Sequence, residues 1–364
     1  MKDSLVNRSD RPVRIWLWVG IFMIVVQVLL GGITRLTGSG LSITEWNVVT
    51  GTFPPLNETD WLLEFNKYKA TPQYQLLNFD FDLDAFKFIF FWEWFHRFWA
   101  RLIGVVFLIP FLVFLYQRRF TKEMVRPLLI LFLLGALQGA VGWIMVASGL
   151  TGDAIYVKPT RLALHFQFAL GLFVYTFWFA IKLTVGQQQR IADRFISKLT
   201  ITVILLLVVQ LAFGALMAGH KAATAAPTWP DINGAMVPEL MWRPEWGLLN
   251  FLENKILIHF VHRTLAYIIL ILVGILSVNL YVRNRQSPLL QRVWWLPLFF
   301  VTLQVVLGIA SVLLSVQIVP RMWGPFEWAA QLHQLVAMFL LMSLVAVGYL
   351  VRSRETVKGT GFRV

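Results

Sequence analysis

Cysteine is absent from all 364 residues, which excludes disulfides, thiolate-held metals, iron–sulfur clusters and thiol redox chemistry. Any redox function must therefore come from a bound cofactor. Charge is scarce as well. Asp, Glu, Lys and Arg make up 14% of the chain against 58% hydrophobic residues, and the apolar runs are far longer than a soluble core helix needs, so a soluble protein is excluded. Acidic side chains are the scarcer kind, 19 against 32 Lys and Arg. The first residues, MKDSLVNRSDRPVR, lack an apolar stretch of their own and carry acids, so they read as neither a cleaved signal nor a transit peptide. The chain is expected to insert by its first span, in a bacterial inner membrane rather than a mitochondrial one.

What is present is a series of apolar stretches. With about 20 residues needed per span, hydropathy places helices near 14–36, 88–116, 125–147, 161–182, 199–219, 255–282, 293–316 and 326–351. Eight spans put both termini on one side. Segments 1–14, 117–126, 182–198, 283–292 and 352–364 hold 19 Lys or Arg and 5 Asp or Glu, whereas the rest holds 13 and 14. The two faces thus carry +14 and −1, which assigns the termini and short loops to the cytoplasm. The net charge of +13 is accordingly a topology signal, and nucleic acid is excluded as a partner; the lipid bilayer is the expected one.

The chain is internally duplicated. A shift of 183 carries Gln27, Gly31, Trp46, Gly51 and Pro55 onto Gln210, Gly214, Trp229, Gly234 and Pro238; a shift of 166 carries His96-Arg97 onto His262-Arg263 and Gln138 and Gly142 onto Gln304 and Gly308; one of 168 carries His165 onto His333. The expected fold is an all-α membrane protein of eight transmembrane helices, arranged as two pseudo-symmetric four-helix bundles, 1–184 and 197–364, joined by a linker at 185–196.

Four histidines in duplicated register within spans are costly in lipid unless they bind something. His96, His165, His262 and His333 all fall near the same surface, so spans two and four can supply one pair and spans six and eight the other. Paired imidazoles, with no thiolate or carboxylate cage, favour haem iron over zinc or mere packing. Arg97, Arg161, Arg263 and Arg321 lie near the same surface, where each either meets a propionate or anchors the interface. Glu93 precedes His96 by one turn, and a carboxyl so placed reads as functional; the matching His259 is expected to hydrogen-bond behind the site, and His220 to be a surface residue. The four Gln-x-x-x-Gly motifs of the odd spans read first as helix-packing devices and only second as ligand contacts. The first long loop, 37–87, is expected to cover a site or cap the bundle, with Trp61, Leu62, Leu63 and Phe65 on an amphipathic turn lying along the interface.

The stretch Gly31-Gly-Ile-Thr-Arg-Leu-Thr-Gly-Ser-Gly-Leu-Ser-Ile-Thr-Glu-Trp46, Gly51-Thr-Phe-Pro-Pro55, Glu93-Trp-Phe-His-Arg97, His165, His262-Arg263 and His333 together resemble the haem A synthases. The resemblance covers all eight spans and falls in the cysteine-free branch. It implies an oxidoreductase that turns the C8 methyl of haem O into a formyl group for terminal oxidases. It also implies haem b on His262 and His333 with Arg263 and Arg321 nearby, and haem O at His96 and His165 with Arg97 and Arg161 nearby. Glu93 becomes the catalytic residue. Implied partners are the enzyme that makes haem O and cytochrome oxidase assembly factors; a homo-oligomer is left open. A di-haem electron-transfer cytochrome and a non-enzymatic haem carrier remain the alternatives.

Overall fold

The computed structural model describes residues 11–46, 50–283, 287–318 and 323–352. Among these, eight helical stretches are long and apolar enough to cross a membrane, as the hydropathy requires. They are α1 (Arg11–Leu36), α4 (Leu83–Tyr116), α5 (Lys122–Ala147), α6 (Pro159–Thr184), α7 (Arg194–Gly219), α9 (Lys255–Arg283), a broken span of α10 (Pro288–Val293) and α11 (Leu296–Leu314), and α12 (Pro325–Leu350). The remaining helices, α2 (Glu58–Lys69), α3 (Pro72–Leu77) and α8 (Asn250–Glu253), belong to the long loops. The protein is a multi-pass, all-α membrane protein.

Two departures from the expected spans have local causes. Span seven breaks at Trp294 and Trp295 because Pro297 lacks the amide an unbroken helix would use, and it instead occupies the first turn of the new one. Helix α4 begins at Leu83, ahead of the expected start at 88. Asp82 caps it by accepting the Ala85 amide at 2.8 Å. Its extra turns bury Phe86, Ile89 and Phe90 against Phe65 and Tyr68 of α2, an aromatic core separate from the main one. Loop 37–87 is thus folded onto α4. Phe65 faces inward while Leu62 and Leu63 are exposed, so the expected interfacial turn is in part a packed element.

Within the first four spans α1 packs on α4 and α5 on α6; within the last four α7 packs on α9 and α11 on α12. The two groups meet through α6, which touches α7 and α12, and through α1 on α12. One face gathers the start of α1, the end of α12 and the 185–196 connection. Arg14 of α1 reaches the Leu183 carbonyl, and the 185–196 segment lies against the end of α12 through a two-residue parallel ladder, Ile191 with Val351 and Ala192 with Arg352. The opposite face carries the long loops. The core runs between α1, α6, α7, α9 and α12, and Phe173, Phe179, Leu276, Met338 and Leu344 are fully buried in it.

Candidate functional site

Each of the four histidines is seated by a glycine on the neighbouring helix. A Cβ on Gly31 would lie 3.3 Å from His96 Nε2, and one on Gly142 only 2.8 Å from His165 Cε1. On Gly214 and Gly308 it would lie 3.1 and 3.0 Å from Cε1 of His262 and His333. The imidazoles therefore occupy the volume where any other residue would place a side chain. The glutamine one turn earlier adds a polar contact. The Gln138 amide approaches His165 Nδ1 at 3.2 Å, Gln304 approaches His333 Nε2 at 3.2 Å, Gln210 donates to the His262 carbonyl at 2.9 Å, and Gln27 donates to the His96 carbonyl at 3.3 Å. Helix packing was the favoured reading of Gln-x-x-x-Gly, yet the motif also builds the histidine seats. The signal was in the sequence, since the motifs and the histidines repeat in nearly the same register.

One turn before each first histidine, a second repeated pair ties a loop down. In the first four spans Glu93, 2% exposed, takes Arg97 on Oε1 at 2.6 Å and the Ser42 hydroxyl and Ile43 amide on Oε2 at 2.7 and 2.9 Å. Arg97 in turn donates to the Glu45 and Ile43 carbonyls. Ser42 and Ile43 stand within the Gly31–Trp46 stretch, but nothing in their spacing announced a contact with Glu93. They arrive because Gly38, at φ +69°, turns the chain back at the end of α1, a conformation glycine adopts at no steric cost. In the last four spans Arg263 donates to His259 Nε2 at 3.0 Å and to the carbonyls of Asp231 and Thr228, each at 2.6 Å. The loop there is firm: the Gly234 amide, with the Thr228 hydroxyl, holds the Asp231 carboxyl below the usual carboxylate range. His259 is fully buried and hydrogen-bonds behind the pair, as expected. His220 differs from expectation. It ends α7 with its side chain 9% exposed and contacts the Leu252 carbonyl at 2.7 Å, so it pins a loop.

All four histidines, Glu93, Arg97 and Arg263 line one continuous cavity of about 2050 Å³. That exceeds the space a typical small ligand needs. Arg161 is outside it and donates to the Ile144 carbonyl; Arg321 lies outside the described residues. Among the described residues no cluster of three or more His, Cys, Asp or Glu could hold a bare metal ion. The pairs therefore suit an iron that brings its own equatorial nitrogens.

The His262 and His333 pair fits that group. Their ring centroids are 6.4 Å apart, a spacing accounted for by two metal–nitrogen bonds of about 2 Å plus the half-width of each ring. Each ring also keeps a buried Nδ1 without a protein partner. His96 and His165 line the same cavity, but among the described residues they make no ring contact of this kind.

The architecture defines a class, a polytopic helical membrane protein with two imidazole pairs facing one interior cavity. A family model described as cytochrome oxidase assembly protein matches residues 14–345. The chain is 41% identical over 340 residues to a protein of Methylobacterium radiotolerans named Heme A synthase, covering 92% of this chain and 89% of that protein. It is 38% identical over 347 residues to one of the same name from Flavobacterium psychrophilum, covering 92% and 96%. A third, from Paracoccus denitrificans, is 39% identical over 320 residues, covering 86% and 83%. The chain belongs to the cytochrome oxidase assembly protein family, in the group of the haem A synthases.

Proposed function

We infer that the protein is an oxidoreductase that converts haem O to haem A by oxidising the C8 methyl group to a formyl group. Haem O is the substrate between His96 and His165, and haem b is the resident cofactor between His262 and His333. The observation that carries this division is the inequality of two sites built to one plan. The last four spans have their imidazoles at the separation one metal requires, in a closed wall, α9 against α11. The first four have no such closed ring pair, and α4 and α5 hardly meet.

Side-chain size matches that difference. Gly104, Gly135 and Gly139 leave open space where a Cβ would project. Their repeat counterparts are Leu270, Val301 and Val305, of which Val301 is buried in the core and Leu270 packs on it. A gap floored by glycine admits a bulky, tailed substrate from lipid; a wall of β-branched residues retains what it encloses.

Glu93 gives the open site a group able to move protons. It is among the residues that line the cavity. It accepts the proton released from the substrate at a carboxylate oxygen, while Arg97 steadies Oε1 and Ser42 offers Oε2 an exit toward the loop face. His96 and His165 orient the substrate iron, with Gly31 and Gly142 fixing their rings. When bound, the haem b supplies one-electron transfer, and His262 and His333 would hold it. The chain sits in a bacterial inner membrane with both termini cytoplasmic, as the +14 and −1 faces support. There it receives haem O from the enzyme that makes it and works beside oxidase assembly factors.

Purified protein incubated in aerated buffer with haem O, dioxygen as the oxidant and a reductant system to prime it, its haems resolved by chromatography, tests this reading. Haem A is the expected product. Haem O recovered unchanged from protein that retains haem b would leave a carrier or a di-haem cytochrome instead.

A further inference from the structure

Haem carries two propionate carboxylates, and the guanidinium groups near the histidines are the natural places to bind them. Most are already engaged. Arg97 spends its donors on Glu93 and on the Glu45 and Ile43 carbonyls, Arg263 on His259 and three loop carbonyls, and Arg161 on Ile144 outside the cavity.

Arg35 is different. It lines the cavity from α1, and among the described residues it donates no hydrogen bond and makes no ion pair, although Glu327 of α12 stands near enough to attract it. Glu327 itself is 5% exposed and accepts the Gly324 amide on Oε2 at 2.9 Å. A guanidinium presents five N–H donors in a planar fork matched to a carboxylate. Leaving that fork without an acceptor inside a membrane bundle is costly, which marks it as set aside for a ligand.

The position also selects one site. Gly31, which seats His96, lies four residues before Arg35 and so on the same face of α1, one turn of about 5.4 Å further from the loop face. Arg35 therefore stands beyond the edge of a macrocycle centred on His96, on the side facing the polar loops. In the repeat Gly31 becomes Gly214, which seats His262, and Arg35 becomes Ala218. The resident-haem half has no cation at this place.

We propose that Arg35 binds a propionate carboxylate of the substrate haem at the His96 and His165 site, orienting the macrocycle so that one edge faces Glu93. This rests on the assignment of that site to haem O. Arg35 is a positioning residue, and Glu327 keeps its charge compensated between turnovers.

The test compares haem O with its dimethyl ester, whose propionates carry no charge, in titrations of detergent-solubilised protein that already holds haem b. Wild-type protein is expected to bind the diacid at least about tenfold more tightly than the diester, the worth of one charge-assisted hydrogen-bonded pair. Arg35→Gln is expected to erase the discrimination, raise KM for haem O by a similar factor and lower kcat, since the edge is no longer held toward Glu93, with haem b content close to wild type. Should Arg35→Gln not retain haem b, Arg35→Lys carries the test: it keeps the charge, loses the fork and is expected to lose most of the discrimination. A variant that retains haem b and still prefers the diacid as wild type does overturns the proposal alone. Wild-type protein that binds neither form overturns the functional assignment, and this proposal with it.

Discussion

The first four spans and the last four share a plan, with Gln-x-x-x-Gly seats, histidines one helix away and an arginine clamp on the long loop, yet they differ in what surrounds the histidines. In the last four, Leu270, Val301 and Val305 stand at the repeat positions where the first four have Gly104, Gly135 and Gly139, at which a Cβ would meet nothing within 4 Å. The clamp uses an imidazole accepting from Arg263 at His259 Nε2 in one and a carboxylate at Glu93 in the other. Under the proposed assignment, duplication supplies the geometry for gripping iron twice, and a few changes in side-chain volume and charge would separate holding from converting. On that reading retention and turnover differ in the walls and the proton-handling group more than in the ligands.

The sharpest way to break the comparison is to remove one ligand from each half. His262→Ala or His333→Ala is expected to abolish the haem b absorption of the purified protein along with its activity. His96→Ala is expected to leave that absorption in place. Equal loss in all three would mean the halves are not specialised. Next comes Glu93→Gln, expected to lower turnover by about 100-fold or more, the range of a lost proton-transfer group, with haem b content unchanged. A haem count and a turnover assay on the same preparation check both parts.

Smaller effects test the seats. Gly308→Ala puts a methyl 3.0 Å from His333 Cε1, and such overpacking costs roughly 1–3 kcal/mol; the expected result is faster haem b release in a transfer assay. Gly142→Ala, 2.8 Å from His165, should instead weaken haem O binding and spare haem b. Making the first seam resemble the second, with Gly135→Val and Gly139→Val, is expected to slow haem O uptake in stopped-flow mixing without altering haem b content. Least of all, Lys67→Met removes the ion pairs to Glu64 and Glu45 in the loop. At a partly exposed site that is worth at most about 1 kcal/mol, visible only as a small drop in melting temperature.

The Glu64 hydrogen bond holds the Lys67 amine above its ordinary range. Its contribution is full below the unfolded amine's pKa and fades as pH rises through the raised one. The Lys67→Met difference should therefore shrink in strongly alkaline buffer.

Much of this was legible before any coordinates. Spans, repeat and histidine pairs follow from hydropathy and spacing, because lipid leaves the backbone one local solution and the duplication repeats its marks. The extra turns of α4 were not legible, since Phe86 and Phe90 look like lipid-facing residues until α2 is seen covering them. Nor was the crowding of Glu93 by Ser42 and Ile43, because it depends on a reversal at Gly38 that brings together residues about fifty apart in the chain. That Gln138 and Gln304 hydrogen-bond across their helix pairs was read correctly, but that histidines are their partners was not legible, for a related reason. Spacing within one helix says which residues share a face, and says nothing of what the next helix presents to it.

Helix α6 carries His165 and also lies against both α7 and α12, the helix that bears His333. It works as a common rafter for both histidine pairs. Under the proposed assignment, strain imposed when a guest arrives at the first pair is felt by the beam that would hold the metal at the second, and such linkage is reciprocal. The midpoint potential of a haem b there should consequently shift when haem O is added, so a redox titration with and without it would read from one pair whether the other is occupied.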